Sequence, residues 1–125
     1  MTDWDRVRYF RRHEFGLGEP GVEPDPDLVR LLDEARNIAG IPFAITSGLR
    51  TRTRNTDDEV GGAEQSAHVT GHAADIRAPT GRHRFLIVRA ALDVGFNRIG
   101  VYSGHVHLDN SPDLPQDVIW TGQSR

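Results

Sequence analysis

Histidine and aspartate are concentrated in two short stretches of this 125-residue chain. The first stretch is "SAHVTGHAAD", residues 66–75, and the second is "SGHVHLD", residues 103–109. Together they hold four of the six histidines and two aspartates: His68, His72, Asp75, His105, His107 and Asp109. Because imidazole and carboxylate groups are the usual nitrogen and oxygen ligands of zinc, the two stretches predict a metal site.

The two histidines of the first stretch are not equivalent. The segment "GHAADIR", residues 71–77, alternates in polarity and predicts a strand. Successive side chains of a strand point to opposite faces, so Asp75 faces one side and His72 the other. His68 precedes the strand and can fold back toward Asp75. The pattern therefore favours His68 as a ligand and places His72 at the surface or beside the site.

The second stretch places its three polar groups on one face of a strand, because they alternate with Val106 and Leu108. The combined ligand set is then His68, Asp75 and one or both of His105 and His107. Three protein ligands with a water in the fourth position are typical of a catalytic zinc site, whereas four protein ligands close the site and make it structural. The spacing leaves both arrangements open.

Composition excludes several classes of protein. The chain has no cysteine, so disulfides and thiolate metal sites are ruled out. A net charge of −3 disfavours nucleic acid as the main partner. No stretch approaches the roughly 18 apolar residues of a membrane span. The first residues, "MTDWDRVRYFRRHEF", lack the apolar run of a signal peptide. We therefore expect a single domain, residues 1–125, made in the cytoplasm without a signal peptide.

The elements that must position these residues form an α+β pattern. Apolar periodicity predicts helices over residues 28–38, with Asp27 as cap and Gly40 as stop, and over residues 81–95. Short runs of β-forming residues predict strands at 42–47 and 71–77, two more within 97–109, and a last one near 117–120. Residues 1–15 are expected to form a short helix, and residues 48–65 a long polar loop. This order predicts a small, mainly antiparallel sheet with flanking helices.

These residues resemble a known family. "SAHVTGHAAD" matches the Ser-x-His-x-x-Gly-x-Ala-x-Asp signature of the zinc D-alanyl-D-alanine peptidases. "ITSGLRT", residues 45–51, is similar to the family's Ser-Gly-Tyr-Arg segment, with Leu49 in place of the aromatic residue, and "GHVHLD" is similar to its final His-x-His block. The family includes DD-carboxypeptidases, vancomycin-resistance dipeptidases and bacteriophage L-alanyl-D-glutamate endolysins. The resemblance implies the Hedgehog/DD-peptidase fold.

The resemblance also implies a role for each matching position. The metal would be one Zn²⁺ per chain, bound by His68, Asp75 and His107. Arg50 would bind the substrate, and His105 would take the acid/base position. The implied activity is hydrolysis of a peptide bond in peptidoglycan stem peptides, of either the D-Ala-D-Ala carboxypeptidase or the L-Ala-D-Glu endopeptidase type. Within this class, a small chain without a signal peptide favours a phage- or prophage-associated enzyme that acts on the cell wall, and we expect a monomer.

Some alternatives stay open at this point. Asp109 could accept a hydrogen bond from either His105 or His107, as the partners of metal-bound histidines often do. Glu59 or Glu64 could replace His105 as the general base. The domain could also be non-catalytic, with a metal that only stabilises the fold. Finally, "HLD" is similar to the His-x-Asp fragment of a non-haem iron oxygenase, although that site normally lies in an all-β jelly roll.

Overall fold

A five-stranded sheet carries both histidine-rich stretches. The computed structural model describes residues 1–52 and 67–124. Its strands are β1 (Ile45–Ser47), β2 (Ala73–Arg77), β3 (Arg98–Val101), β4 (His105–Asp109) and β5 (Val118–Thr121). They lie in the order β1-β2-β4-β3-β5. The pairs β1/β2, β2/β4 and β3/β4 are antiparallel, and β3/β5 is parallel. The prediction of a mainly antiparallel sheet is therefore confirmed.

Helix α1 (Pro26–Ala39) begins earlier than the sequence pattern indicated. Its N-cap is Asp25, whose side chain accepts the backbone N–H of Leu28 at 3.1 Å. Pro26 suits the first helical position because the missing N–H would have no partner inside the helix. The prediction of Asp27 as the cap was wrong, since Asp27 lies within the first turn. The helix ends at Gly40, as predicted, in the left-handed conformation at φ 70°.

Helix α2 (Gly81–Val94) is capped by the side chain of Thr80 and packs beside α1. The first residues of the chain form two short 3-10 helices, Trp4–Arg6 and Arg12–Phe15, in place of the predicted helix. Buried Asp33 of α1 accepts the backbone N–H groups of Arg8 and Tyr9. Those donors are then not available to a continuous α-helix, which is the physical reason for the interruption.

The two faces of the sheet have opposite character. One face and the two helices form a common core of fully buried side chains, among them Leu28, Leu32, Ala74, Ile76, Ile87, Ile99, Val106 and Leu108. The strand residues that alternate with these carry histidine, aspartate and arginine, and several are also buried. The helices thus cover the apolar face, and the candidate functional residues lie on the other, polar face. Across the described ranges, neither helix has the length and apolar character that crossing a bilayer requires.

Candidate metal centre

Strand pairing brings the two histidine-rich stretches together. In the β2/β4 register Asp75 lies directly opposite His107. Opposed residues on neighbouring antiparallel strands have side chains in contact, so the imidazole and the carboxylate meet on the polar face. His68 lies in the short helical stretch at residues 67–69, just before β2, and turns back toward the same carboxylate. The structure therefore groups His68, Asp75 and His107.

The three side chains converge on a small volume. His107 Nδ1 lies 2.9 Å from Asp75 Oδ1, and His68 Nε2 lies 3.2 Å from the same oxygen. One ligand atom from each residue lies within 4.8 Å of the other two. Both histidines are fully buried and Asp75 is 4% exposed. A set of two imidazoles and one carboxylate at this spacing could hold a metal ion.

Hydrogen bonds behind the cluster determine which ring nitrogens face it. His68 Nδ1 lies 2.6 Å from the backbone carbonyl of Gly48, which can only accept, so Nδ1 carries the proton. His107 Nε2 lies 2.6 Å from Asp109 Oδ2 and donates to that carboxylate in the same way. With one proton on each ring, the second nitrogen therefore directs a lone pair at Asp75. Such second partners are typical of histidines that bind metals.

The resulting donor set fits a cation. Burial by itself would raise the pKa of Asp75, but the hydrogen bonds and positive charge of His107 and His68 in their protonated form outweigh burial and hold that pKa well below its usual range. Asp75 is therefore ionised. An ionised carboxylate that faces two imidazole lone pairs in a buried site needs either protons on both rings or a cation among the three atoms. A divalent metal with nitrogen and oxygen ligands meets this requirement.

Asp109 is itself held by a buried cation. Arg98 Nε donates to Asp109 Oδ1 at 2.6 Å, and both side chains are almost completely inaccessible to solvent. The backbone N–H of Ser111 donates to the same oxygen. Burial tends to raise the pKa of Asp109, yet hydrogen bonds from His107 and Arg98 lower it below the ordinary value. Asp109 thus acts as a charged acceptor that orients the imidazole of His107.

Arg50 contacts the second oxygen of Asp75. Its Nη2 donates to Asp75 Oδ2 at 3.2 Å, and its Nε donates to Ser47 Oγ at 2.8 Å. The side chain is buried and is one of the residues that line a polar cavity of about 280 Å³, formed by residues 14–17 and 45–51. Arg50 therefore orients Asp75 and also borders a space that a substrate could enter.

His105 lies at the rim of the cluster rather than within it. Its Nε2 lies 4.0 Å from Asp75 Oδ2, which is too long for a direct hydrogen bond between these two atoms. Its Nδ1 lies 2.7 Å from Ser124 Oγ. The side chain is 19% exposed, whereas that of His107 is fully buried. His105 thus faces both the cluster and the solvent.

Comparison with known proteins gives the family. A model of the peptidase M15 family matches residues 10–109, a span that contains every residue of the cluster described above. The chain belongs to the peptidase M15 family. The comparison of the sequence with curated proteins found no match.

The fold of this M15 peptidase is similar to a solved structure, the crystal structure of the L-Ala D-Glu endopeptidase ChiX from Serratia marcescens. The two sequences are 23% identical, and the TM-score is 0.52. The match covers 86% of this chain and 94% of the other. The α+β fold of the peptidase that the resemblance implied is therefore confirmed.

His72 of the M15 peptidase lies outside the cluster. Its Nδ1 is 2.9 Å from Thr70 Oγ1, and its Nε2 is 3.8 Å from Asp25 Oδ1. Asp25 is the cap of α1, so His72 faces the helix N-terminus instead of the polar face of the sheet. This position agrees with the alternation argued from "GHAADIR".

Sequence reasoning missed two parts of the peptidase's polar face. The first is Arg98, which a strand pattern does not distinguish from an exposed arginine. The second is the aromatic border: Trp120 lies with its ring centroid 5.4 Å from that of His107, and Tyr102 stacks on His105. No local pattern in the sequence predicts either contact, because both join residues of different strands or adjacent loops.

Two alternatives that the sequence left open can now be compared with the structure. Asp109 bonds the side of His107 that is turned away from the cluster, so "HLD" does not supply a second carboxylate ligand. The sheet covered by helices on one face also differs from the jelly roll of the oxygenases. The other alternative bases, Glu59 and Glu64, lie outside the described residues.

Proposed function

We propose that this M15 peptidase is a zinc enzyme that hydrolyses a peptide bond in peptidoglycan stem peptides. The observation that carries the proposal is the convergence of His68, Asp75 and His107, each of which offers one ligand atom within 4.8 Å of the other two. This set leaves one position open when the metal is tetrahedral, as in catalytic zinc sites. The position of His105 at the rim favours a catalytic centre over a purely structural one.

The residues have distinct tasks in this proposal. Bound zinc supplies Lewis acidity to the scissile carbonyl and to the attacking water. His105 Nε2 accepts a proton as the water oxygen bonds to the carbonyl carbon, and it returns that proton to the leaving nitrogen as the C–N bond breaks. The products are a carboxylate and a free amine.

Arg50 has two tasks that are compatible with its contacts. It holds Asp75 Oδ2, which directs Asp75 Oδ1 at the metal. Its guanidinium also borders the cavity of about 280 Å³, where it can attract a carboxylate of the stem peptide or stabilise the oxyanion. Stem peptides carry free carboxylates, so a buried arginine in the lining of the cavity supports the proposed substrate class.

Digestion of purified peptidoglycan, followed by mass analysis of the released fragments, tests the proposal. The protein is first freed of metal with a chelator and then assayed with and without one equivalent of zinc. We expect release only with zinc. Free D-alanine would identify a carboxypeptidase, and a stem peptide that starts at D-glutamate would identify an L-Ala-D-Glu endopeptidase. The similar Serratia protein is an L-Ala D-Glu endopeptidase, so the second product is the one to look for first.

Two variants complete the experiment. His107→Ala removes a proposed ligand and should abolish release. His72→Ala removes a histidine of the same region that contacts Thr70 and Asp25, and it should behave as the wild type. A wild-type protein that binds zinc, gains thermal stability from it and releases nothing would instead support the structural-metal alternative.

A further inference from the structure

The segment that follows β5 returns to the polar face and contacts His105. The Oγ of Ser124 lies 2.7 Å from His105 Nδ1 and accepts the backbone N–H of Gly104 at 2.7 Å. The backbone N–H of Ser124 donates to Ser103 Oγ at 3.0 Å. Three hydrogen-bonded contacts thus join this short segment, which we call the C-terminal tail (residues 122–124), to the β3–β4 turn.

The path of the tail requires a close approach to Tyr102. The backbone N–H of Gly122 donates to the carbonyl of Val101 at 3.1 Å, and a Cβ atom on Gly122 would collide with the Tyr102 ring. Only glycine therefore lets the tail pass there. The Tyr102 ring stacks on His105 with centroids 4.3 Å apart and planes 10° apart. Its hydroxyl accepts the Nε1–H of Trp120 at 2.9 Å.

We propose that Ser124 is a positioning residue for His105 in the hydrolytic reaction. The inference rests on the proposed function, in which His105 transfers the proton. Tyr102 supports the face of the imidazole, and Ser124 binds Nδ1, so the opposite nitrogen, Nε2, is the one directed at Asp75 and the metal centre. Without the hydroxyl the ring can rotate or flip, and the reactive nitrogen is aligned for only part of the time.

A hydroxyl group suits this position. For Nε2 to accept a proton, Nδ1 must already carry one, so Ser124 Oγ accepts the Nδ1–H of His105 through one lone pair and the N–H of Gly104 through the other. Nδ1 keeps its proton when Nε2 becomes protonated, so this hydrogen bond does not change. The orientation of His105 is therefore maintained in both states that a proton-transfer group must visit.

The tail lies beyond the part of the chain that the family model matches. That match ends at Asp109, so it includes Tyr102, which stacks on His105, but not Trp120, which donates to Tyr102, or Ser124, which contacts His105 directly. This part of the support for His105 belongs to the last strand and the tail.

Steady-state kinetics on a soluble stem peptide, with zinc content measured for each variant, test the role of Ser124. Ser124→Ala should lower kcat about tenfold, the order expected for the loss of one neutral hydrogen bond that acts through the reaction. KM and zinc content should not change, because the ligands and the cavity are untouched. Ser124→Thr, which keeps the hydroxyl, should restore most of kcat. Gln123→Ala, a change at an exposed residue of the same tail, is the matched control.

A double variant separates positioning from a general structural effect. In the His105→Ala background, Ser124→Ala should cause no additional loss, since the group it positions is gone. An equal loss in both backgrounds, or an unchanged kcat in Ser124→Ala, would overturn the proposal while leaving the peptidase function intact. A wild type without hydrolysis would instead overturn the proposed function and with it the role of Ser124.

The geometry can be tested without any activity. In the zinc-loaded wild type, nuclear Overhauser contacts between the His105 ring protons and the Ser124 β protons should be present, as should contacts between the rings of His105 and Tyr102. Absence of the contact between Ser124 and His105 in the folded, zinc-loaded wild type would show that the tail does not bind His105 and would overturn the proposal.

Discussion

Two histidines of β4 are held in different ways. The inner one, His107 in the middle of the strand, is fully buried, and its Nε2 donates to a carboxylate that Arg98 keeps charged. The outer one, His105 at the start of the strand, is partly exposed, and its Nδ1 meets the hydroxyl of Ser124. A carboxylate only accepts, so it selects one tautomer of His107, whereas a hydroxyl can both donate and accept.

This difference explains how one strand can supply both a metal ligand and a proton carrier. Both histidines lie on the same face, two residues apart, and their intrinsic chemistry is the same. A ligand must present the same lone pair at all times, which a charged acceptor behind the ring ensures. A proton carrier must gain and lose a proton at Nε2, and a neutral hydroxyl at Nδ1 holds the ring without the negative charge that would favour its protonated form. The neighbours of each ring, rather than its residue type, indicate its role.

The largest effect should follow from removal of the inner histidine. His107→Ala deletes one of three ligands, so zinc content should fall far below one equivalent and hydrolysis should be lost with it. Elemental analysis of untagged protein and the peptidoglycan assay measure the two quantities. Full zinc retention in this variant would show that the inner histidine is not a ligand and would contradict its assigned role.

Removal of the outer histidine should separate binding from catalysis. His105→Ala should keep its zinc and lose about 10²–10⁴ in rate, the usual contribution of general acid–base catalysis. Zinc content, melting temperature and peptide release are measured on the same preparation. If zinc binding weakens and the melting temperature falls, His105 is a fourth ligand and the site is structural.

A smaller effect is expected from the carboxylate behind His107. Asp109→Asn keeps the shape but removes the negative charge, so zinc affinity should fall about 10–100-fold, as for other partners of metal-bound histidines. The variant should also be less stable, since Arg98 keeps a buried charge without its anion. Competition with a chelating dye measures the affinity. An unchanged dissociation constant would mean that Asp109 serves only the fold.

The smallest effect should come from the histidine outside the cluster. His72→Ala should retain wild-type zinc content and wild-type hydrolysis, because its ring contacts Thr70 and Asp25 instead of Asp75. The same two assays apply. If His72→Ala lost as much zinc and hydrolysis as His68→Ala, His72 would belong to the metal centre, contrary to its position in the structure.

Local patterns predicted much of the site, and long-range contacts account for what they missed. Alternation along β4 was sufficient to place His105 and His107 on one face, and alternation over residues 71–77 separated His72 from Asp75. The register that sets Asp75 opposite His107 depends on two strands about 30 residues apart in sequence. No pattern within one stretch can specify it, so the choice of His107 as the third ligand came from the family resemblance.

The same reason explains the missed support residues. Arg98 bonds Asp109 across a strand pair, and Ser124 reaches His105 from beyond β5. Both contacts depend on tertiary structure, and an arginine or a serine is usually exposed. The cap of α1 was misplaced by two residues because Asp25 and Asp27 both fit a cap signal, and only Asp25 lies before a proline at the first helical position. The single-domain, monomer and phage-associated expectations stay predictions.

The position of Trp120 has an optical consequence. The chain has two tryptophans, and the other, Trp4, packs against Phe15 near the start of the chain. A Trp4→Phe variant would therefore emit light from one indole, whose ring lies 5.4 Å from the imidazole of His107. Any change in the charge at that imidazole alters the electric field across the excited indole. The emission wavelength and intensity of Trp120 should thus report, in real time and without a label, when an ion enters or leaves the metal centre.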